Sequence, residues 1–134
     1  LLTIVDCLQL CGDETPELCR SLGARAYKAF RVHPEFSPDD MLAYATPAYL
    51  LDAYVQGSHG GTGKTCDWDI AARAVALGKP VILAGGLTPE NVADAVRTVR
   101  PYAVDTAGGV ESAPGKKDHD RIREFIKNAK LPLS

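Results

Sequence analysis

The sequence predicts an α/β fold in which short parallel strands alternate with helices. Five apolar segments of strand length recur along the 134 residues, and a helix-start signal follows each of the first four. Glycines or carboxylates stand where the apolar segments end. Because crossovers between successive strands of this kind are right-handed and bring the strands parallel, we expect a parallel sheet covered by helices.

The predicted strands are apolar enough to be buried on both faces, as in parallel sheets. They are, in order, residues 1–10, 26–32, 49–54, 80–84 and 102–106. Gly12 closes the first strand region and the pair Gly85–Gly86 closes the fourth, since glycines interrupt strands.

The predicted helices are placed by their capping signals. They cover, in order, residues 15–23, 37–44, 67–78, 88–99 and 118–128. Thr15–Pro16, Ser37–Pro38 and Thr88–Pro89 each put a capping side chain before a proline at the first helical position. Asp67 caps the third helix, and Gly78 ends it.

Composition and charge exclude several classes of function. Fifteen basic and seventeen acidic residues give a net charge of −2 without a basic run, so we expect neither nucleic acid nor a membrane as partner. No apolar run is long enough to span a bilayer and no charged leader opens the chain, so a cytoplasmic protein is expected. The four cysteines form no C-x-x-C pair, which favours reduced thiols over a metal site.

Candidate functional residues cluster where the strands end. Ligands of parallel α/β proteins bind at the carboxyl edge of the sheet. The residues predicted to lie at that edge are Gln9, Cys11, Asp52, Gly85, Gly86 and the segment from Asp105 to Gly109. Each also has a purely structural interpretation, because aspartates cap turns and glycines after strands serve turn geometry.

The segment GTGKT, residues 61–65, ends like a nucleotide-binding P-loop. The P-loop signature needs a glycine five positions before the second glycine, and that position holds Ser58. Because Asp67 is the predicted N-cap, no helix follows the lysine directly. A nucleotide-binding open sheet is therefore only an alternative.

Four blocks carry a specific family resemblance: LQLCGDE (8–14), GGTGKTCDW (60–68), AGGLTPENV (84–92) and VDTAGGVESAPGKKD (104–118). In this order they resemble the later strands of the phosphoribosylanthranilate isomerase family. The resemblance implies a partial (βα)8 TIM barrel with about five βα units, corresponding to strands 4 to 8. We expect residues 1–134 to form a single domain without the first three units, since a complete barrel needs at least about 200 residues.

The resemblance also implies a chemistry. The family uses neither metal nor cofactor and carries out the Amadori rearrangement of N-(5′-phosphoribosyl)anthranilate in tryptophan biosynthesis. Asp52 matches the family's general acid, and Gln9, Cys11 and Asp105 match substrate-binding positions. Cys11 stands where the family usually has a histidine.

The glycines at the ends of the fourth and fifth strands match the family's phosphate-binding positions. They are Gly85, Gly86, Gly108 and Gly109. The family's usual Ser-Ser-Gly reads Ala107–Gly108–Gly109 here, and the loss of hydroxyl donors predicts weaker phosphate binding. The glycines between residues 60 and 63 match a flexible loop over the site.

Two functional residues of the family have no counterpart: a general-base cysteine on the first strand and a second-strand arginine. We therefore expect little isomerase activity from this chain alone. Because the outer strands would lose their barrel neighbours, we expect self-association, a complementing barrel fragment as partner, or rearrangement of a terminal segment over the gap. The expected ligand is a phosphorylated small molecule. A non-catalytic phosphate-binding or structural module is the second alternative.

Overall fold

Five parallel strands form one sheet whose spatial order follows the chain. The computed structural model describes residues 4–54 and 67–131. The strands are β1 (Leu8–Leu10), β2 (Ala26–Arg31), β3 (Tyr49–Asp52), β4 (Val81–Ala84) and β5 (Ala103–Val104). The predicted parallel α/β fold is confirmed. Doubly wound sheets reverse their strand order at a switch point. The order β1 to β5 contains no reversal, so this sheet is not of the doubly wound kind.

Helices connect the strands, and a small hairpin follows the sheet. The α-helices are α1 (Pro16–Leu22), α2 (Trp68–Ala76), α3 (Val92–Val99) and α4 (His119–Ala129). Short 3-10 helices cover Gly23–Arg25, Pro38–Ala43 and Gly108–Val110. The antiparallel hairpin consists of β6 (Glu111–Ala113) and β7 (Lys116–Lys117). No helix in residues 4–54 and 67–131 has the length and apolar character needed to cross a membrane.

Several predicted capping interactions are present. The Thr15 hydroxyl accepts a hydrogen bond from the Leu18 amide at 3.3 Å, and the Asp67 carboxylate accepts one from the Ile70 amide at 3.0 Å. Gly78 follows α2 with a φ of +89°, the left-handed conformation that ends a helix. These local signals set the start of α1 and both ends of α2.

Other predicted bounds were wrong. The first strand covers only Leu8–Leu10, not residues 1–10, of which 1–3 lie outside the described residues. The second predicted helix is a 3-10 helix over Pro38–Ala43. Thr88 does not cap α3, because Asn91 takes the N-cap position and uses its side chain to accept from the Thr88 amide instead. The predicted loop before residue 118 contains the β6–β7 hairpin.

The sheet separates a packed face from a face that carries the candidate residues. Tyr49, Leu51, Val81 and Leu83 are fully or almost fully buried in the core. That core includes side chains of α2 and α3. Because side chains alternate along a strand, the neighbours of these residues point to the other face. Asp52 lies there, paired in register with an arginine of β2 and with Ala84 of β4.

Candidate functional site

Nearly all the predicted site residues line one cavity of about 510 Å³ at the carboxyl ends of the strands. They are Gln9, Asp52, Gly85, Gly86, Asp105, Gly108 and Gly109. Cys11 lines a neighbouring cavity of about 650 Å³, which shares Gln9 and Asp52 with the first. The chain thus brings together groups separated by up to about a hundred residues of sequence, because each follows a strand of the same sheet.

Asp52 is the last residue of β3 and lines the cavity. One oxygen, Oδ1, accepts a hydrogen bond from the Tyr54 amide at 3.1 Å. The other, Oδ2, lies 3.8 Å from Nε of Arg31. The Asp52 side chain is 33% exposed, so it is oriented by its neighbours and still open to a ligand.

The loop after β4 approaches Asp52 so closely that only glycine fits. Gly85 and Gly86 have φ values of +95° and +65°, which glycine adopts without strain. A Cβ atom added to Gly85 would lie 2.3 Å from Asp52 Oδ1 and 2.5 Å from the Tyr54 amide nitrogen. Gly85 therefore serves the placement of Asp52 as well as the shape of its own loop.

The loop after β5 packs against the loop after β4. A Cβ atom on Gly109 would lie 1.8 Å from the Leu87 carbonyl oxygen, so this position also requires glycine. The Thr106 hydroxyl donates to the same carbonyl oxygen at 2.7 Å. Gly108 has open space at its Cβ position. The two glycine pairs thus line one cavity, and the backbones of their loops touch at Gly109 and Leu87.

Tyr27 and Arg31 are site residues that sequence reasoning missed. The Tyr27 hydroxyl donates to Gln9 Oε1 at 2.7 Å, and Gln9 Nε2 lies 3.1 Å from the Cys11 sulfur. Burial raises the pKa of the Tyr27 hydroxyl above its ordinary value, so this hydroxyl remains a hydrogen-bond donor to Gln9 well above neutral pH. The signal was available, because alternation along β2 places Tyr27 and Arg31 on one face of the strand.

A buried lysine on the same strand holds the loop that follows β1. Lys28 pairs with Glu14 at 3.2 Å and donates to the carbonyl oxygens of Leu10 at 3.3 Å and Gly12 at 2.8 Å. These contacts fix the end of β1, and so the position of Gln9 and Cys11. The loop predicted to cover the site, residues 60–63, lies outside the described residues.

Neither a metal cluster nor a disulfide was found in residues 4–54 and 67–131. In that part of the chain, no three His, Cys, Asp or Glu side chains are grouped closely enough to hold an ion. Cys7, Cys11 and Cys19 are free thiols, while Cys66 lies outside the described residues.

The sequential parallel strands, with the candidate site at their carboxyl ends, define a protein of the TIM-barrel-like α/β class. The comparisons identify the family within that class. The family model described as N-(5′phosphoribosyl)anthranilate (PRA) isomerase matches residues 2–128. The chain belongs to this family, which confirms the resemblance drawn from the four sequence blocks.

Individual relatives agree with the family assignment. The N-(5′-phosphoribosyl)anthranilate isomerase of Geobacter sulfurreducens is 59% identical over 126 residues, which are 94% of this chain and 62% of the relative. The crystal structure of the Thermotoga maritima enzyme has a TM-score of 0.73 and 41% identity, covering 94% of this chain and 62% of the other. A further solved isomerase, in complex with reduced 1-(o-carboxyphenylamino)-1-deoxyribulose 5-phosphate, has a TM-score of 0.71 and 38% identity over 94% and 60% of the two chains.

The chain therefore spans less than two thirds of the length of these relatives.

Proposed function

We propose that this chain supplies the general acid and the phosphate-binding loops of a phosphoribosylanthranilate isomerase site. One observation carries the proposal: Asp52, Asp105 and both glycine pairs line a single cavity at the carboxyl ends of the strands. Membership of the isomerase family supports the assignment of substrate. The substrate is then N-(5′-phosphoribosyl)anthranilate, and the pathway is tryptophan biosynthesis in the cytoplasm.

In the proposed reaction Asp52 makes the first proton transfer. Its carboxyl group gives a proton to the ribose ring oxygen while the C1–O bond breaks and the anthranilate nitrogen lone pair forms a C=N bond. A base then takes the C2 proton, which gives an enolamine. Addition of a proton at C1 and loss of the proton of the C2 hydroxyl convert the enolamine into the aminoketose. Asp52 suits the acid role because it is oriented by the Tyr54 amide and remains accessible to ligand.

The phosphate group of the substrate is placed at the two glycine loops in this proposal. Glycines allow backbone N–H groups to approach a phosphate closely, as at other TIM-barrel phosphate sites. The solved relative with a bound phosphorylated product analogue supports a ligand of this chemistry. Gln9, Cys11 and Asp105 then border the remainder of the substrate from the same cavity region.

Replacement of the proposed acid tests the function. Turnover is measured with the protein alone or, if it is inactive alone, with a complementing barrel fragment added. We expect Asp52→Asn to lower kcat by at least about 100-fold with KM changed only a few-fold, because general acid catalysis commonly contributes that much. Asp94→Asn is the matched control, since Asp94 lies on α3 and pairs there with Arg97. If Asp52→Asn turned over the substrate as fast as the wild-type protein, the assignment of Asp52 as the general acid would be wrong.

We expected the chain alone to be inactive, but the comparisons do not support this expectation. The relatives that match 94% of the chain are isomerases. The expectation stays a prediction, tested by turnover of the purified protein alone. The non-catalytic alternative predicts saturable binding of the phosphorylated analogue without any turnover. A nucleotide-binding sheet predicts that nucleoside triphosphate displaces that analogue.

A further inference from the structure

A single arginine of α4 contacts both loops that carry the glycine pairs. We call residues 85–91 the β4 loop and residues 105–110 the β5 loop. Arg121 Nη1 and Nη2 donate to the two carboxylate oxygens of Glu90, in the β4 loop, at 2.9 and 3.1 Å. Arg121 Nε and Nη2 donate to the carbonyl oxygen of Gly109, in the β5 loop, at 3.2 and 3.0 Å.

The guanidinium group is well suited to this bridge. Its planar fork engages a carboxylate through two parallel hydrogen bonds while another edge remains free for a carbonyl oxygen. A lysine ammonium is a compact point charge and does not reproduce the two-pronged contact. The Arg121 side chain is one third exposed, so the bridge lies on the outer side of the two loops.

The bridge sits where the loops already touch. At Gly109, in the β5 loop, a Cβ atom would collide with the carbonyl of Leu87 in the β4 loop. Helix α4 also holds the β4 loop, because the Asn128 side chain donates to the Pro89 carbonyl at 2.8 Å. The contact between Gly109 and Leu87 sets how closely the loops approach. Arg121 opposes their separation, because moving either loop away breaks two of its hydrogen bonds.

We infer that Arg121 is a positioning residue that fixes the spacing of the β4 and β5 loops and thereby sets the affinity for a phosphate group. The inference rests on the proposed function for the identity of the ligand. Backbone donors from two loops converge on one phosphate only when their spacing is held, and misplacement by about 1 Å costs up to about 100-fold in such sites.

The test compares variants of one helix. Arg121→Gln removes the bridge, Arg121→Lys keeps only the charge, and Arg123→Gln is the matched control, since Arg123 pairs within α4 with Asp120. Dissociation constants are measured for the reduced product analogue, for inorganic phosphate and for the analogue without its phosphate. We expect about tenfold weaker binding of both phosphate-bearing probes to Arg121→Gln, an intermediate loss for Arg121→Lys and none for Arg123→Gln.

Binding of the phosphate-free analogue should be the same in all variants, because the bridge acts only on the phosphate end. Equal weakening of all three probes would show a general loss of structure and overturn the inference. Unchanged phosphate binding by Arg121→Gln would overturn it as well.

Amide hydrogen exchange separates failure of the inference from failure of the proposed function. We expect Arg121→Gln, but not Arg123→Gln, to accelerate exchange in residues 86–91 and 107–111. If the wild-type protein binds no phosphate probe while this acceleration is seen, the proposed function fails and the role of Arg121 in loop spacing stands. If exchange is unchanged, the inference fails whatever the ligand result.

Discussion

At the scale of single residues, the site depends on the close approach of Gly85 to Asp52. The absent side chain of Gly85 leaves space for the carboxylate that we propose as the general acid. The same glycine has a positive φ, so both sterics and backbone conformation exclude other residues. A residue that carries no functional group thus controls the position of one that does.

Gly85→Ala should be more destabilising than an equally strained substitution elsewhere. The added methyl group would lie 2.3 Å from Asp52 Oδ1, whereas the matched control Gly78→Ala has a φ of +89° and nothing within 4 Å. We expect Gly78→Ala to cost about 1–2 kcal/mol from backbone strain alone and Gly85→Ala to cost at least about 1 kcal/mol more. Urea unfolding of both variants measures the difference, and equal losses would contradict the packing argument.

Glu90 gives the site a defined response to acid. Hydrogen bonds, chiefly from Arg121 and then from Thr88 and the Glu90 backbone, lower the pKa of the Glu90 carboxyl from 4.5 to about 2. Because this pKa is depressed in the folded protein, the stabilisation by the pair is complete above about pH 4.5 and is lost as the pH falls towards 2. Carboxyl NMR titration should show Glu90 ionised at pH 3 in wild type, with its pKa raised towards 4.5 in Arg121→Gln. A Glu90 titration unaffected by Arg121→Gln would contradict the bridge.

At the scale of elements, α4 carries Arg121 and is positioned by its own N-cap. The Asp118 carboxylate accepts hydrogen bonds from the amides of Asp120 at 2.9 Å and of Arg121 at 3.1 Å. The cap therefore fixes the first turn of the helix, from which the Arg121 side chain extends to both loops. The start of α4 and the geometry of the bridge depend on one side chain.

Asp118→Ala should destabilise the protein by about 1 kcal/mol, the usual contribution of an N-cap. Asp120→Ala is the matched control, because Asp120 lies in the same turn, is almost fully exposed and caps nothing. Thermal unfolding measures both. A loss in Asp120→Ala as large as that in Asp118→Ala would contradict the capping argument, because Asp120 contributes only its charge and its ion pair with Arg123.

Local signals predicted elements well where the partner of a residue is close in sequence. Thr15 and Asp67 cap helices through amides three residues away, so the sequence alone located those starts. Thr88 looked equally convincing, but Asn91 bonds both the Thr88 amide and the Gly86 carbonyl and delays the helix. The hairpin was missed although Pro114–Gly115, with Gly115 at a φ of +77°, is a turn signal.

The candidate site was predictable for a different reason. Parallel strands bring their carboxyl ends to one edge, so residues such as Asp52 and Asp105 meet whatever lies between them in sequence. Arg121 was not predictable in this way. Its partners lie 31 and 12 residues away and are brought to it by the packing of α4 against two loops, which no local pattern encodes.

At the scale of the whole molecule, the sheet has two strands with an unpaired edge. In residues 4–54 and 67–131, β1 pairs only with β2 and β5 pairs only with β4. Exposed edges of this kind readily pair with other strands. Two expectations stay predictions: that the sheet is part of a (βα)8 barrel without its first three units, and that residues 1–134 form a single domain.

Self-association of the purified protein is therefore expected, unless a complementing barrel fragment covers the edges. Light scattering over a range of concentrations should give a mass above that of a monomer. Addition of a fragment containing strands that pair with β1 and β5 should return the complex to a single defined mass. A concentration-independent monomer that binds no apolar dye would contradict the expectation and leave only rearrangement of a terminal segment over the open edges.

The most direct test of the account is a calorimetric titration of the protein with the reduced product analogue. We predict saturable binding by the wild type and its loss in Gly86→Asp, whose carboxylate would repel the phosphate at the β4 loop. Gly23→Asp is the control, since Gly23 has a φ of +60° against +65° for Gly86 and ends α1, outside the residues that line the cavity. If Gly23→Asp binds the analogue as the wild type does and Gly86→Asp does not bind it, the phosphate lies at the glycine loops. Absence of wild-type binding at about 1 mM ligand, or equal binding by Gly86→Asp, would contradict the central claim.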